Sequence, residues 1–245
     1  MKKKSAFFLI FAAFLIIKET YSQPAATVQL IGGYSIPLPD LKGTFGDSPG
    51  MLTINSDSNT FFMKSGVNYG LVFKIPIKRK FPINIVGSLL INSFSQNKLY
   101  TDTSGYFEAD INQIITTVGI GLEYSFSGKK TIFNPYAGIE FTINLFSGQF
   151  TTSTGTDPTI LNLKGTVRAG IQATAGIDYV LHNNIGVTAG IKYAYANMIG
   201  KKSAPDIRPT YYLNDDDRYD QGVFYPARNI TYLQLFGGVS FYFGR

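Results

Sequence analysis

Along much of this chain, apolar side chains alternate with small or polar ones at a period of two, which is typical of half-buried β-strands. The clearest run extends from Ile230 to Phe243. A strand of that length crosses a bilayer when tilted, since about 9–11 residues suffice. Seven further segments alternate in the same way and predict strands at about Thr27–Ile36, Gly66–Ile77, Ile83–Phe94, Gln113–Phe126, Pro135–Phe146, Gly165–Leu181 and Ile185–Asn197.

The connections between these predicted strands alternate between long and short. The long ones are polar and lie at about Pro37–Lys64, Ser95–Asp110, Ser147–Lys164 and Met198–Asn229. We find no helical period and no domain boundary. The sequence therefore predicts one all-β domain, an eight-stranded antiparallel up-and-down barrel.

The charged residues of the predicted strands lie on the face opposite the apolar one, together with many Gly and small polar residues. A barrel with an apolar outer wall would place them in its narrow lumen. Long loops at one end and short turns at the other are also typical of transmembrane β-barrels. We therefore predict a transmembrane barrel with a polar lumen network of Lys74, Glu123, Glu140, Arg168, Asp178 and Lys192.

The first 22 residues have the organisation of a secretory signal peptide. Lys2 to Lys4 form a basic region, Ser5 to Ile17 an apolar region, and Thr20-Tyr21-Ser22 a small-residue cleavage site. We predict cleavage after Ser22 and export through the general secretory pathway, which leaves residues 23–245 as the barrel domain. The alternative is an uncleaved membrane anchor.

Composition narrows the function classes. The 245 residues include no Cys, which excludes disulfides and Cys metal sites, and only 16% are charged, whereas Gly (25), Phe (20) and Tyr (16) are abundant. The formal net charge is +6, but part of it lies in Lys2 to Lys4 and the remainder is scattered. A nucleic-acid partner would require a basic stripe on one face, so we expect none.

At this point the chain resembles a family, the small outer-membrane β-barrel proteins of the eight-stranded OmpA/OmpX-like type. The cleavage junction and the Tyr-rich strands are similar to members from the Bacteroidota. The most specific shared element is a C-terminal insertion signal, here Gly238, Phe241 and Phe243. Phe236 departs from the usual polar residue, and Gly244-Arg245 extend past the usual terminal aromatic. The resemblance implies the bacterial outer membrane, contact with its lipid, and recognition of the last strand by the barrel-assembly machinery.

The lumen charges could serve catalysis or structure. Paired carboxylates are compatible with acid/base chemistry, but Glu123 and Glu140 lie on adjacent strands with Arg168 beside strand five and Lys192 beside the strand of Asp178. Cations on neighbouring strands favour a salt-bridged plug.

Other candidate groups point to no enzyme or cofactor. The only His, His182, lies in a short turn at the end opposite the outer leaflet. Asp215 to Asp217 lack the alternate spacing of a Ca²⁺ loop and are expected to be a solvated loop run. No phosphate-binding loop or metal-ligand cluster is present in the sequence.

We therefore expect a non-enzymatic outer-membrane barrel with a structural or surface-interaction role, since loops on a rigid scaffold carry function. The four long extracellular loops would form its working surface. Two alternatives remain: a narrow pore or transporter for small or hydrophobic molecules, and a soluble periplasmic lipocalin-like barrel with its apolar face inward.

Overall fold

The computed structural model describes residues 24–45, 60–78, 81–102, 105–126, 132–154, 157–182, 184–220 and 222–244. The predicted signal peptide lies outside these residues, and its cleavage stays a prediction. Eleven strands are present in the described part: β1 Ala26–Pro37, β2 Gly66–Pro76, β3 Ile83–Asp102, β4 Gly105–Ser125, β5 Phe133–Thr154, β6 Asp157–His182, β7 Ile185–Ile199, β8 Thr210–Tyr211, β9 Arg218–Asp220, β10 Val223–Tyr225 and β11 Thr231–Phe243.

Eight of these strands form a closed antiparallel ring. Strands β1 to β6 each pair with the next, β7 also pairs with β11, and β11 pairs with β1 from Ala26↔Phe243 to Pro37↔Tyr232. The prediction of an all-β, eight-stranded barrel is therefore confirmed. Among the described residues, no helix is both long and apolar enough to cross a membrane. We call the end with the short connections the turn end and the opposite end the loop end.

The two faces of the wall differ as the alternation predicts. Aliphatic and aromatic side chains point outward and are largely exposed, with Ile120 at 64%. Polar and charged side chains point inward and are buried, among them Gln29, Asn92 and Gln172. The lipocalin-like alternative required the reverse arrangement and is wrong.

Two predicted loops prove to be strands. β3 and β4 stay paired as far as Asp102↔Gly105, and β5 and β6 as far as Thr154↔Asp157. The predicted loops at 95–110 and 147–164 are therefore the upper parts of two tall hairpins. Above the apolar wall many outward side chains are polar, among them Ser95, Asn97 and Gln149, so the regular apolar alternation ends although the β-ladder continues.

The fourth long connection folds back on the barrel. Its β8 pairs in parallel with β6 at Asn162↔Thr210 and Leu163↔Tyr211, and β9 and β10 form a small separate hairpin. An apolar core lies at the loop end, where side chains of the first and fourth connections pack against barrel strands. Its largest members include Leu41, Phe61, Phe94, Phe146, Phe150, Leu213, Ile230 and Tyr232.

The exposed apolar wall generates a test. Ile120→Arg places a charge on the outward face in the apolar part of β4, opposite Phe141 of β5. If this face meets hydrocarbon, the substitution should lower the free energy of unfolding by about 2–4 kcal/mol. Thr174→Ser on the inward face is the matched control, and urea unfolding in lipid vesicles is the measurement. Equal tolerance of both substitutions would contradict the assignment of the two faces.

Candidate functional site

The lumen contains a buried ion cluster near the turn end. The Lys74 ammonium lies 2.9 Å from a Glu123 carboxylate oxygen and 3.1 Å from one of Asp178. It also lies 3.5 Å from the centre of the Tyr136 ring, in a cation–π contact. Two carboxylates share this one ammonium, and further donors complete their hydrogen bonding.

These further donors come from the surrounding wall. The Gln29 amide nitrogen donates to Asp178 at 2.8 Å, and the Asn84 amide nitrogen donates to Glu123 at 3.2 Å. A buried ion pair is tolerated only when its remaining polar atoms are also hydrogen-bonded, and this cluster meets that condition.

A second ion pair lies further towards the loop end. The Lys192 ammonium donates to Glu140 at 2.8 Å, and the Ser88 hydroxyl donates to the other oxygen of the same carboxylate. Gln172 donates to Ser88 at 3.1 Å. The space between the two charged groups is lined by Thr174 and Phe236, among others, and accommodates about one water molecule.

Glycines on the lumen face make room for the aromatic side chains. A Cβ at Gly176 would lie 2.6 Å from the Tyr136 ring, and a Cβ at Gly190 would lie 2.6 Å from the Phe236 ring. Any larger residue would have to displace these rings. Side chains therefore fill this part of the interior.

The lumen filling beside the charged groups is partly apolar, and towards the loop end it becomes polar and then apolar again. Ile31, Val72, Val86, Leu90 and Phe236 form a small apolar cluster. Next comes a buried amide and hydroxyl network, in which Thr117 donates to Asn144 at 2.7 Å and Ser35 donates to Asn92 at 2.8 Å. The loop-end apolar core follows.

The partners of two lumen cations differ from those expected. Lys192 pairs with Glu140 and not with Asp178. Arg168 pairs with Asp215 of the fourth connection at 2.7 Å, where wall carboxylates were expected as partners. The ion pairs between lumen residues of the barrel strands join strands that are not neighbours. In a narrow barrel, a side chain reaches across the lumen as readily as it reaches an adjacent strand.

Asp215 was expected to be solvated, and that expectation is wrong. Its side chain is 0% exposed and accepts hydrogen bonds from the Arg168 guanidinium, the Asn197 amide at 2.9 Å and the Lys202 backbone N–H at 3.1 Å. Asp216 and Asp217 are exposed, as expected. No group of three or more acidic or His side chains in the described residues is arranged to hold a metal ion.

Arg228 is a buried cation that the sequence reasoning missed. Its guanidinium donates to the backbone oxygens of Thr60, Leu213 and Asn214 and lies 3.9 Å from the centre of the Phe61 ring. Burial lowers the pKa of Arg228 to about 10, so it stays charged at neutral pH. It joins the first and fourth connections, and no motif in the sequence marks it for that role.

The remaining predicted site residues lie on the wall or at the turn end. Phe243 is exposed on the outer face near the end of β11, Phe241 is half-buried, and Gly238 is opposite Ile31 of β1. His182 is exposed at the end of β6. The structure brings none of these residues into contact with the lumen ions.

A closed barrel with an apolar outer wall defines an outer-membrane β-barrel protein. The family model of the opacity family porin proteins matches residues 90–222, more than half of the chain, and the chain belongs to this family. It is accordingly a protein of the bacterial outer membrane, embedded in its lipid.

The chain is also similar to solved structures. Neisserial surface protein A is 13% identical, with 89% of this chain and 97% of that chain covered and a TM-score of 0.45. OprG of Pseudomonas aeruginosa is 15% identical, with coverages of 90% and 99% and a TM-score of 0.45. Ail, the attachment invasion locus protein of Yersinia pestis, is 10% identical, with coverages of 89% and 99% and a TM-score of 0.41. A search of curated protein sequences gave no match.

The Arg168–Asp215 pair generates a stability prediction. Arg168→Met leaves the buried Asp215 carboxylate without its cation, and such a loss should cost about 3–5 kcal/mol. The double variant Arg168→Met/Asp215→Asn should cost less than the sum of the two single variants, because no unpaired charge remains. Urea unfolding in vesicles measures all three. A cost below about 1 kcal/mol for Arg168→Met would show that this pair does not hold the fourth connection in place.

Proposed function

We propose that this protein is a non-enzymatic surface protein of the outer membrane, with a lumen closed by side chains and a loop end that serves as its interaction surface. The observation that carries the proposal is the packed loop-end core. Leu41, Phe61 and Leu213 of the long connections are buried there against Phe94 and Phe146 of the wall. Packing of this kind closes the mouth of the barrel and holds the loop surface in a defined shape.

The polar contacts of the loop end support the same proposal. Arg228 joins the first and fourth connections through Thr60 and Leu213, and the Asn229 backbone N–H donates to Asp40 at 2.8 Å. A surface held this way loses little conformational entropy when it binds a partner. This rigidity favours a role of the loop end in binding.

The disposition of the titratable groups supports the absence of enzymatic activity. The lumen carboxylates Glu123, Glu140 and Asp178 are each ion-paired and buried beneath the loop-end core. The exposed His182 lies at the turn end, away from all three. A catalytic base needs a substrate within hydrogen-bond reach, and none of these groups offers that access.

Strand β11 is proposed as the signal read by the barrel-assembly machinery, through Gly238, Phe241 and Phe243. The alternation of Phe241 and Phe243 at the end of the last strand supports this proposal.

The hairpin of β9 and β10 is the part of the loop end best suited to bind a partner. Tyr219 is 78% exposed, and its ring centre lies 5.1 Å from that of Phe224. Beside them, the Arg218 guanidinium lies 4.8 Å from the centre of the Tyr225 ring. Exposed aromatic residues next to Arg are the usual anchors of protein interfaces.

The proposal is tested by removing the exposed rings. The wild type is first tested against a panel of immobilised proteins and polysaccharides to find the targets that it binds. The double variant Tyr219→Ser/Phe224→Ser should fold normally and bind those same targets more weakly. Loss of two central anchors should weaken binding by at least tenfold. Cells displaying each form provide the assay, and migration of unboiled samples in SDS gels reports folding.

Leu99→Ser/Ile160→Ser is the matched control, because it removes two exposed apolar side chains from the tall hairpins instead. Equal binding by the wild type and the aromatic double variant, or no binding by the wild type to any target, would contradict the proposed surface role of this hairpin.

A further inference from the structure

The outer wall of β6 and β7 ends towards the loop end in an apolar patch. Val167 and Ile199 are 57% and 55% exposed, and Met198 is exposed beside them. Ala169 pairs with Ile199, so the apolar faces of both strands end at about the same height. In an outer-membrane barrel, this height is where hydrocarbon gives way to the headgroups of the outer leaflet.

Lysines follow immediately above this apolar patch on both strands. Lys164 lies three positions beyond Val167 towards the loop end of β6, and Lys201 and Lys202 follow Ile199 directly after the intervening Gly200. Lys164 and Lys202 are exposed, and Lys201 is half-buried. Three cations thus lie on one side of the rim, next to the lipid-facing wall.

Two of these lysines are positioned by tyrosines. The Lys201 ammonium lies 5.9 Å from the centre of the Tyr195 ring, and that of Lys164 lies 5.4 Å from the centre of the Tyr212 ring. Tyrosine is enriched at membrane interfaces because its ring is apolar and its hydroxyl is polar. These contacts hold both ammonium groups at the level of the interface.

Hydrogen bonds reinforce the position of Lys201. The Asn229 side-chain oxygen accepts from the Lys201 ammonium at 2.6 Å and from the Tyr195 hydroxyl at 2.7 Å. An ammonium has three N–H donors, and this contact uses one of them. The other two are available to an acceptor outside the protein.

The acidic side chains near this rim are engaged elsewhere. Asp40 accepts from the Asn229 backbone N–H, and Asp206 accepts from the Tyr212 backbone N–H at 2.9 Å and from Asn214 at 3.1 Å. Both carboxylates thus accept hydrogen bonds from groups of the fourth connection. Lys164, Lys201 and Lys202 together make this side of the rim positively charged.

We propose that this rim binds a phosphorylated, acylated lipid of the outer leaflet. The lipid phosphates would contact Lys164, Lys201 and Lys202, and its acyl chains would lie on Val167, Met198 and Ile199. The site is continuous with the lipid-facing wall, and ammonium groups bind phosphate oxygens through strong charge-assisted hydrogen bonds. The inference rests on the outer-membrane location and on the loop end facing the outer leaflet, where outer-membrane barrels carry their long loops; it does not rest on the binding role proposed for the hairpin of β9 and β10.

The test uses the purified full chain in detergent micelles, titrated with diphosphorylated lipid A and followed by native mass spectrometry. Lys164→Gln/Lys201→Gln should bind lipid A about 25-fold more weakly than the wild type, at about fivefold for each lysine near a charged membrane surface. Both side chains are at the protein surface, so we expect the double variant to fold normally, which unboiled SDS gels would verify.

The matched control is Lys42→Gln/Lys64→Gln, which removes two exposed lysines of the first connection on another side of the rim. It should bind lipid A like the wild type. An equal loss of affinity in both double variants would overturn the proposal, because it would show that the net charge of the protein alone attracts lipid A. Equal binding of lipid A and its dephosphorylated form, or competition by millimolar inorganic phosphate, would also overturn the proposal.

Discussion

In hydrocarbon, a backbone N–H or C=O that lacks a partner costs several kcal/mol, so a sheet that crosses a membrane must have no open edge. The pairing of β1 with β11 over their full lengths meets this demand and brings the two ends of the barrel sequence together. Closure then divides every strand into a lipid face and a lumen face. The other features of the molecule, from the aliphatic wall to the buried ions, follow from that division.

An eight-stranded ring leaves an interior that side chains nearly fill. The charges in it are therefore close to one another, and each must be paired. Lys74 of β2 reaches Glu123 of β4 and Asp178 of β6, while Lys192 of β7 reaches Glu140 of β5. None of these pairs joins adjacent strands. The Lys74–Asp178 pair joins opposite sides of the ring, and the other two pairs join strands two places apart. Contacts between neighbouring strands alone would not link these parts of the wall.

At the loop end, buried charges are also compensated, by different residues. Arg168 and Arg228 carry charge into a mostly apolar region, where Asp215 pairs with the first and backbone oxygens receive the second. Both contacts involve the fourth connection. This connection therefore acts as part of the core, in contrast to a solvated loop, and it supports the exposed hairpin of β9 and β10.

The sequence was sufficient to predict the eight strands, their facing and the placement of Lys74, Glu123 and Asp178 on the lumen side, because a period of two reports burial on one face. It did not predict the upper parts of β3 to β6, where Ser95 or Gln149 replaces the outward aliphatic residues and the alternation disappears. The partners of Arg168 and Arg228 were also not predicted. They depend on how the long connections fold in three dimensions. Arg168 lies 47 positions from Asp215, and Arg228 lies 15 from Leu213 and 168 from Thr60, so no local sequence pattern marks these contacts.

The most direct test of a barrel closed by its own side chains and loop-end core is the electrical conductance of the purified protein in planar lipid bilayers. A filled lumen should give no stable, large-conductance steps, because no continuous water column crosses it. A wide multistranded porin reconstituted in the same way serves as the positive control. Steady porin-sized currents from this protein would contradict the closed lumen and favour a role in transport.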